Sequence, residues 1–352
     1  MKPSIAKQIM KSVLNGGNTP FLLGGTGVGK SAVVRQVATE LADNKEVIVD
    51  AINPNSKQFG FIDFRLSLYE TVDLGGLPYI DDAGGQKRAF LGNLPTKGEG
   101  LLFFDEYPQA SPSVQAVIGQ LIYEKRLGEY VLPKGWKIIC AGNRVSDRAS
   151  SNKLPSHVIG RVALIDFEHN VDDWINWAND NNVHEDVIGF ISQQPQALLE
   201  FDPKIVEPQP SPRTWTALSD TLKVMQKDDT KYLQQIARTH VGEIQSHEFA
   251  TWISLFDTLP NLQDIFNGKE VEVLDRAGEC YACCVALWKL LNNRKDDSKV
   301  YDYFENSLAY VKKFSSPEFS IFFVRQCVSS NEDLKDTSAY NDFKVENQNL
   351  EY

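Results

Sequence analysis

Short apolar runs and amphipathic stretches alternate along the first half of the chain, and this alternation predicts strands and helices in turn. Apolar residues at helical spacing predict one helix over residues 4–14, ended by Gly16 and Gly17, and another over residues 32–42. The apolar run at residues 19–23 predicts a short buried strand between them. The chain is therefore expected to begin with a helix, a strand and a second helix.

Further apolar runs predict the other strands of a parallel sheet. The predicted strands lie at residues 46–52, 100–107, 136–141 and 162–165. The segments between them predict a polar loop at 53–61, an irregular insertion or short hairpin at 65–85, a hairpin-like excursion over 126–139, and helices at 112–122 and 155–159. We therefore expect an α/β fold with a parallel sheet between helices.

From Asp172 onward, helical patterns dominate the sequence. Asp172 itself is predicted to cap the first of these helices at its amino terminus. We predict a domain boundary near residue 170. The predicted segments are residues 1–170, 171–260, 261–330 and 331–352. Four prolines between residues 203 and 212 predict a rigid connector. The last segment is polar and acidic, so a frayed tail is expected there.

Composition places the chain among ordinary globular proteins. It has 352 residues, of which 42% are hydrophobic and 24% are charged, and this length suggests about two domains. The net charge of −11 argues against binding nucleic acid over the whole surface, although a local basic channel stays compatible with it. No apolar run approaches about 18 residues and no apolar stretch follows the amino terminus, so a cytoplasmic location without membrane contact is expected.

The five cysteines argue for a reducing compartment, because an odd number in a chain of this length does not suit a disulfide framework. Cys280, Cys283 and Cys284 form the one cluster in the sequence. They have no second cysteine pair or histidine nearby, and a closed zinc site needs four ligands. We therefore interpret them as part of the buried face of a helix.

Residues 24–31 read Gly-Gly-Thr-Gly-Val-Gly-Lys-Ser and match the phosphate-loop pattern between a predicted strand and a predicted helix. The glycines let successive N–H groups point inward at the positive end of the helix, which cradles a β-phosphate. Lys30 is expected to reach the β and γ oxygens, and the Ser31 hydroxyl to ligate Mg²⁺. The predicted binding residues are Gly24, Gly25, Thr26, Gly27, Val28, Gly29, Lys30, Ser31 and Ala32.

Two acids follow four apolar residues in the strand at 100–107 and resemble a Walker B strand, in which a buried strand presents acids at its carboxyl end. Asp105 would hold the Mg²⁺ shell, directly or through water, and Glu106 would polarise the attacking water. Asn143 follows the strand at 136–141, where its amide is placed to bond the γ-phosphate or that water. The sequence thus predicts a site for a nucleoside triphosphate and Mg²⁺.

Several signals stand in a fixed order along the chain, namely the phosphate loop, Asp105–Glu106, Asn143, Arg161 and Ser211-Pro212-Arg213. The chain resembles the AAA+ ATPases and, within them, the MoxR-like branch of dynein-related and midasin-like proteins. The resemblance covers about residues 1–225. Its most telling portions are Leu74-Gly75-Gly76, Val114-Gln115, the segment 126–134 and Ser211-Pro212-Arg213. It implies a P-loop NTPase fold with a helical lid and a further helical region, and ATP as the nucleotide.

The resemblance also implies roles by position. Asn143 looks like the residue called sensor 1, and Arg213 looks like sensor 2, which reports the nucleotide state from the helical lid. Arg161 stands where relatives carry an arginine finger, with Arg144 and Arg148 as competitors. Independently of the family, phosphoryl transfer needs positive charge near the γ-phosphate, and an arginine from a neighbouring subunit contributes about 10³ to 10⁵ in rate.

One departure from the family concerns the finger, where relatives commonly have Asp-Arg-Phe and this chain has Gly160-Arg161-Val162. The resemblance further implies that an insertion at residues 62–90 and the hairpin at 126–134 line the central face of a ring. A finger acting between subunits requires assembly, so a ring, most simply a hexamer, is expected on both grounds.

Three functions remain open from the sequence. The first is a Mg²⁺-dependent ATPase ring that remodels a protein partner or acts as its chaperone; the resemblance points to a von Willebrand factor A-type partner. The second is a motor stimulated by nucleic acid, which would gather basic residues around the pore: Lys87, Arg88, Lys125, Arg126 and Lys134. The third is a nucleotide-switched scaffold with little turnover, against which the intact Lys30, Asp105 and Glu106 argue.

Overall fold

The computed structural model describes residues 1–90, 92–144, 154–202 and 204–347, which fall into two compact units. The first unit comprises Met1–Asn170 and Pro203–Ile205, and the second comprises Val171–Asp202 and Val206–Tyr352. The first unit contains a parallel sheet flanked by helices, and the second is helical. These findings confirm the predicted α/β fold class with a helical carboxyl-terminal region.

Apart from β3, helices and strands of the first unit follow the predicted alternation. The helices are α1 (Pro3–Asn15), α2 (Lys30–Ala42), α3 (Thr71–Gly75), α4 (Pro112–Glu124) and α5 (Ser156–Ile159). The strands are β1 (Pro20–Leu23), β2 (Glu46–Val49), β3 (Gln58–Arg65), β4 (Leu77–Ile80), β5 (Gln86–Ala89), β6 (Glu99–Asp105), β7 (Arg126–Leu127), β8 (Tyr130–Val131), β9 (Gly135–Gly142) and β10 (Ala163–Asp166). Short 3₁₀ turns lie at Leu66–Leu68 and Tyr107–Gln109.

Within the described residues, six strands form one sheet in the order β10, β1, β9, β6, β3, β2, and every neighbouring pair is parallel. Helix α2 packs on one face of the sheet, and α4 packs on the other, where it shares a buried cluster with Phe64, Leu102 and Phe104. Because the strands are parallel, the carboxyl ends of β1, β6 and β9 meet at one edge. The antiparallel pair β4–β5 forms a hairpin in the predicted insertion and extends it to residue 89, and β7–β8 forms a hairpin within residues 126–131. Residues 136–139, which were expected to be part of that excursion, instead belong to β9 of the parallel sheet.

The prediction of a polar loop at residues 53–61 is wrong, because β3 begins at Gln58 and lies inside the sheet between β2 and β6. Gly60, Asp63 and Arg65 interrupt the apolar pattern of this strand, so the sequence gives a weak strand signal. Pairing with two neighbouring strands overrides that weak local preference. The insertion therefore starts after Arg65 and not at residue 62.

A tryptophan lies across two glycines on neighbouring strands and sets how closely β3, β6 and β9 approach. A Cβ atom at Gly100 would lie 2.3 Å from the carbonyl oxygen of Gly60 and 2.6 Å from the ring of Trp136. A Cβ atom at Gly60 would lie 2.4 Å from the same ring. The indole Nε1 donates a hydrogen bond of 3.0 Å to the carbonyl oxygen of Lys97, which anchors one side of the ring.

We predict that Gly100→Ala lowers the free energy of unfolding by about 3 kcal/mol, because the added methyl group meets backbone on one side and a fixed ring on the other. Urea denaturation measures the change. Gly16→Ala is the matched control: its φ is −76° and the nearest atom to its Cβ lies 3.5 Å away, so we expect a change within about 0.5 kcal/mol. Equal midpoints for both variants would contradict this packing account.

The second unit is built from helices that share one core. Its helices are α6 (Val171–Asp180), α7 (Glu185–Gln193), α8 (Pro212–Val224), α9 (Leu233–Val241), α10 (Glu243–Ser254), α11 (Leu262–Phe266), α12 (Ala277–Asn292), α13 (Val300–Val311), α14 (Pro317–Ser330) and α15 (Ser338–Glu346). One cluster of buried apolar side chains extends from Trp174 to Phe343, so residues on both sides of position 260 share it.

The segment expected to be a frayed tail is instead helical over much of its length. Residues 332–336 form a 3₁₀ helix, followed by α15, and Leu334 and Phe343 are buried. Two apolar side chains in a polar segment thus hold it against the core.

Cys280, Cys283 and Cys284 are buried on α12, which confirms the predicted buried helix face. Burial raises the pKa of Cys280 to about 11 and that of Cys283 to about 12. These thiols are therefore protonated at neutral pH and lack the thiolate form that reacts or binds metal. No helix in the described part of the chain has the length and apolar character needed to span a bilayer.

Candidate nucleotide-binding site

The phosphate loop connects β1 to α2 at the edge where the carboxyl ends of the strands meet. Gly27 and Gly29 have φ of 75° and 97°, in the left-handed region that glycine adopts without steric cost, and Gly29 caps α2. A Cβ atom at Gly24 would lie 2.5 Å from the carbonyl oxygen of Phe167. The loop therefore needs glycine at these positions for its shape as well as for any bound anion.

Lys30 is buried at the amino-terminal end of α2, and its amine lies inside the loop. The Nζ atom donates hydrogen bonds to the carbonyl oxygens of Gly24 at 2.8 Å and Gly25 at 2.7 Å. It donates a third, of 2.8 Å, to Oδ1 of Asn143, which follows β9. The structure thus brings Lys30 and Asn143 together across 113 positions of sequence.

Ser31 and Asp105 also meet at this edge. The Ser31 hydroxyl donates a hydrogen bond of 2.7 Å to Oδ2 of Asp105, the last residue of β6. Oδ1 of Asp105 accepts a bond of 2.8 Å from the backbone N–H of Glu106. Hydroxyl and carboxylate oxygens are the ligands that Mg²⁺ prefers, so this donor set fits the predicted metal.

Glu106 lies directly after β6 with φ of 56°, a left-handed conformation that is unusual for glutamate. Its Oε2 atom accepts a short hydrogen bond from the hydroxyl of Ser67, in the 3₁₀ turn after β3. Strain at such a position is typical of functional sites. Sequence reasoning missed Ser67 because it missed β3, whose carboxyl end places this turn beside Asp105.

A second carboxylate, Asp63 of β3, lies near Asp105 and was also missed. Arg35 of α2 donates a hydrogen bond of 3.0 Å to Oδ2 of Asp63. Burial raises the pKa of Asp63 above its ordinary value, and the negative charge of Asp105 raises it further. No sequence motif marks Asp63, because its position near Asp105 depends on β3, which the sequence did not predict.

Arg161 is exposed just before β10, next to Tyr123 of α4. Its guanidinium carbon lies 4.1 Å from the ring centroid of Tyr123, a cation–π contact. The ring is 60% exposed. The pair is thus presented at the surface of the first unit.

The other arginines considered from the sequence have different surroundings. Arg144 forms an ion pair with Asp166 and donates a bond of 3.3 Å to the carbonyl oxygen of Phe167. Arg148 lies outside the described residues. Arg213 is exposed in the first turn of α8, in the second unit, and its proposed contact with nucleotide stays a prediction.

Most of the basic residues that a nucleic-acid channel would use are engaged locally. Burial lowers the pKa of Lys125, and Lys134 is exposed. The local partners of the others are Asp81 for Lys87 at 3.0 Å, the carbonyl oxygens of Gly75 and Gly76 for Arg88 at 3.1 and 3.2 Å, and the carbonyl oxygen of Gly128 for Arg126 at 2.8 Å.

We compared the chain with known proteins and solved structures. Three solved structures of mutant RuvB from Thermotoga maritima are similar to this chain, each with 14% sequence identity and a TM-score of 0.35. Each match covers 81% of this chain and 79% of the RuvB chain. No protein-family model matches the chain, and no curated protein sequence matches it. The geometry described above is what defines the class, a phosphate-loop α/β fold followed by a helical region.

We predict that Lys30→Ala loosens the phosphate loop even without ligand, because three hydrogen bonds from one charged amine are lost. Amide exchange at Gly24 and Val33 should become about tenfold faster, since a bond from a charged group contributes about 1.5–3 kcal/mol. Lys137→Ala is the control: it removes a bond of 3.0 Å to the carbonyl oxygen of Leu14 and should leave the loop unchanged. Unaltered exchange in the Lys30 variant would contradict the structural role of the amine.

Proposed function

We propose that the chain is a Mg²⁺-dependent ATPase of the AAA+ class. The observation that carries this proposal is the meeting of Lys30, Ser31, Asp105, Glu106 and Asn143 at one edge of the sheet. These side chains come from a helix and from the ends of two strands, and each has the chemistry that one part of phosphoryl transfer needs. The sequence resemblance to AAA+ ATPases supports the same conclusion.

The side chains divide the reaction between them. The backbone N–H groups of the loop and the Lys30 amine bind the phosphates, and Lys30 must exchange its bonds to the loop carbonyls for bonds to phosphate oxygens. Ser31 and Asp105 hold Mg²⁺, which neutralises charge that develops on the phosphates. Glu106 orients the attacking water and accepts its proton, while Asn143 bonds the γ-phosphate or that water.

We further propose that Arg161 supplies the arginine finger to a neighbouring subunit, so that the active form is a ring, most simply a hexamer. Its exposed position on the first unit, stacked on an exposed tyrosine, supports a role between subunits. The resemblance to the MoxR-like branch extends the proposal to remodelling of a protein partner. A von Willebrand factor A-type protein is the class of partner that this resemblance implies.

Glu106→Gln should retain ATP binding and lower turnover by about 10² to 10⁴-fold, because the amide keeps the size of the side chain but cannot accept the proton. Steady-state phosphate release measures turnover, and a fluorescent ATP analogue measures binding. Glu124→Gln, at an exposed position on α4, is the matched control and should behave as the wild type. Undiminished turnover in the Glu106 variant would remove this residue from its proposed role.

Arg161→Ala should lower turnover by about 10³-fold in the assembled protein, and mixing should reveal that it acts between subunits. Each variant alone should turn over ATP slowly, whereas mixed rings should recover activity where an intact Glu106 faces an intact Arg161. Arg238→Ala, a change at an exposed arginine of the second unit, is the control. No recovery on mixing, with mixed assembly verified by sedimentation, would contradict action in trans.

A further inference from the structure

Helix α2 is joined to the sheet by two polar contacts one helical turn apart. Ser31 bonds to Asp105 of β6 at 2.7 Å, and Arg35 bonds to Asp63 of β3 at 3.0 Å. Residues four apart lie on the same face of a helix, so both contacts point to the same face of the sheet. The contact between Ser31 and Asp105 is part of the proposed metal site, and the contact between Arg35 and Asp63 lies next to that site.

The strand register shows how near the two carboxylates are. β3 and β6 are adjacent and parallel, with Arg65 opposite Asp105 and Asp63 opposite Phe103. Alternate residues of a strand share a face, so Asp63, Arg65 and Asp105 belong to one face of the sheet. Asp63 therefore lies on the face covered by α2, two register positions from the residue opposite Asp105.

One oxygen of Asp63 has no hydrogen-bond partner among the described residues. Oδ2 accepts the bond from Arg35, whereas Oδ1 is buried and unpaired. The Asp63 side chain is only 15% exposed. Leaving a buried acceptor unsatisfied costs about 1–3 kcal/mol, and more for a charged group, so this arrangement implies a donor that the polypeptide does not supply.

We propose that Asp63 is an outer-shell residue of the Mg²⁺ site, and that its Oδ1 accepts a hydrogen bond from a water bound to the metal. This inference rests on the proposed function, because Ser31 and Asp105 must exchange their mutual hydrogen bond for the metal. Mg²⁺ usually keeps several bound waters. When the ion binds beside Asp105, these waters bring O–H groups that can donate a hydrogen bond to Oδ1 of Asp63. Arg35 holds Asp63 in place for this contact, as outer-shell partners do in other metal sites.

The test is a Mg²⁺ titration of binding for a fluorescent ATP analogue, in wild type and in Asp63→Asn. The variant keeps the size of the side chain but loses its charge, so the half-saturating Mg²⁺ concentration should rise about tenfold. Binding of the analogue in excess EDTA should change by less than about twofold, since the phosphate loop is untouched. An unchanged Mg²⁺ midpoint in this variant would overturn the inference.

Glu40→Gln is the matched control on the same helix. Like Asp63→Asn, it removes the negative charge of an ion-paired carboxylate, here one paired with Lys7 at 2.8 Å and Lys11 at 2.5 Å. Glu40, however, lies near the carboxyl-terminal end of α2, away from the phosphate loop. Its Mg²⁺ midpoint should equal that of the wild type, and an equal rise in both variants would overturn the inference. If Asp63→Asn fails to fold, Arg35→Gln tests the same contact, since it frees Asp63 and should raise the midpoint about threefold.

The same titration separates this inference from the proposed function. Asp105→Asn should raise the Mg²⁺ midpoint strongly, because it replaces one oxygen of a carboxylate that is proposed to bind Mg²⁺. If Asp105→Asn shifts the midpoint and Asp63→Asn does not, the outer-shell role fails and the ATPase proposal stands. If the wild type binds no ATP analogue at any Mg²⁺ concentration, the proposed function fails first.

Discussion

The first unit depends on one junction, where the amino-terminal end of α2 meets the carboxyl ends of β1, β6 and β9. The Lys30 amine joins the loop to β9 through Asn143, and the Ser31 hydroxyl joins it to β6 through Asp105. A helix amino terminus carries positive partial charge, and a buried lysine adds a full one. At this junction, carbonyl, amide and carboxylate oxygens of the protein itself accept the hydrogen bonds of the Lys30 amine and the Ser31 hydroxyl.

Close packing of the sheet is what allows these groups to meet. Gly60 and Gly100 let Trp136 lie flat across their strands, and Gly24 lets β1 end against the backbone of Phe167. A methyl group at Gly24, Gly60 or Gly100 would lie 2.3 to 2.5 Å from a neighbouring atom, so the packed elements would have to shift. The polar site thus depends on the close packing of glycines and aromatic residues that are not part of the site.

The parts of the site that lie in contiguous motifs were predictable from sequence. Residues 24–32 and Asp105–Glu106 carry their chemistry within a few positions, and their flanking apolar runs indicate the strands and helix that hold them. Asp63 and Ser67 were not predictable, because both depend on β3. That strand has a glycine and two charged residues among its eight positions, and only pairing with β2 and β6 makes it a strand.

By itself, the sequence determined most of the strands and helices of the first unit except β3, as well as the phosphate loop and the two acids, because these depend on apolar spacing and glycines within short segments. Only the tertiary structure decided which contacts hold the site together and which further side chains, Asp63 and Ser67, lie beside it. Asn143 bonds to Lys30, Ser67 to Glu106 and Arg35 to Asp63, and these contacts span from 28 to 113 positions. Contacts at such separations follow from strand order and register, which are set by burial of the whole sheet and not by any single segment.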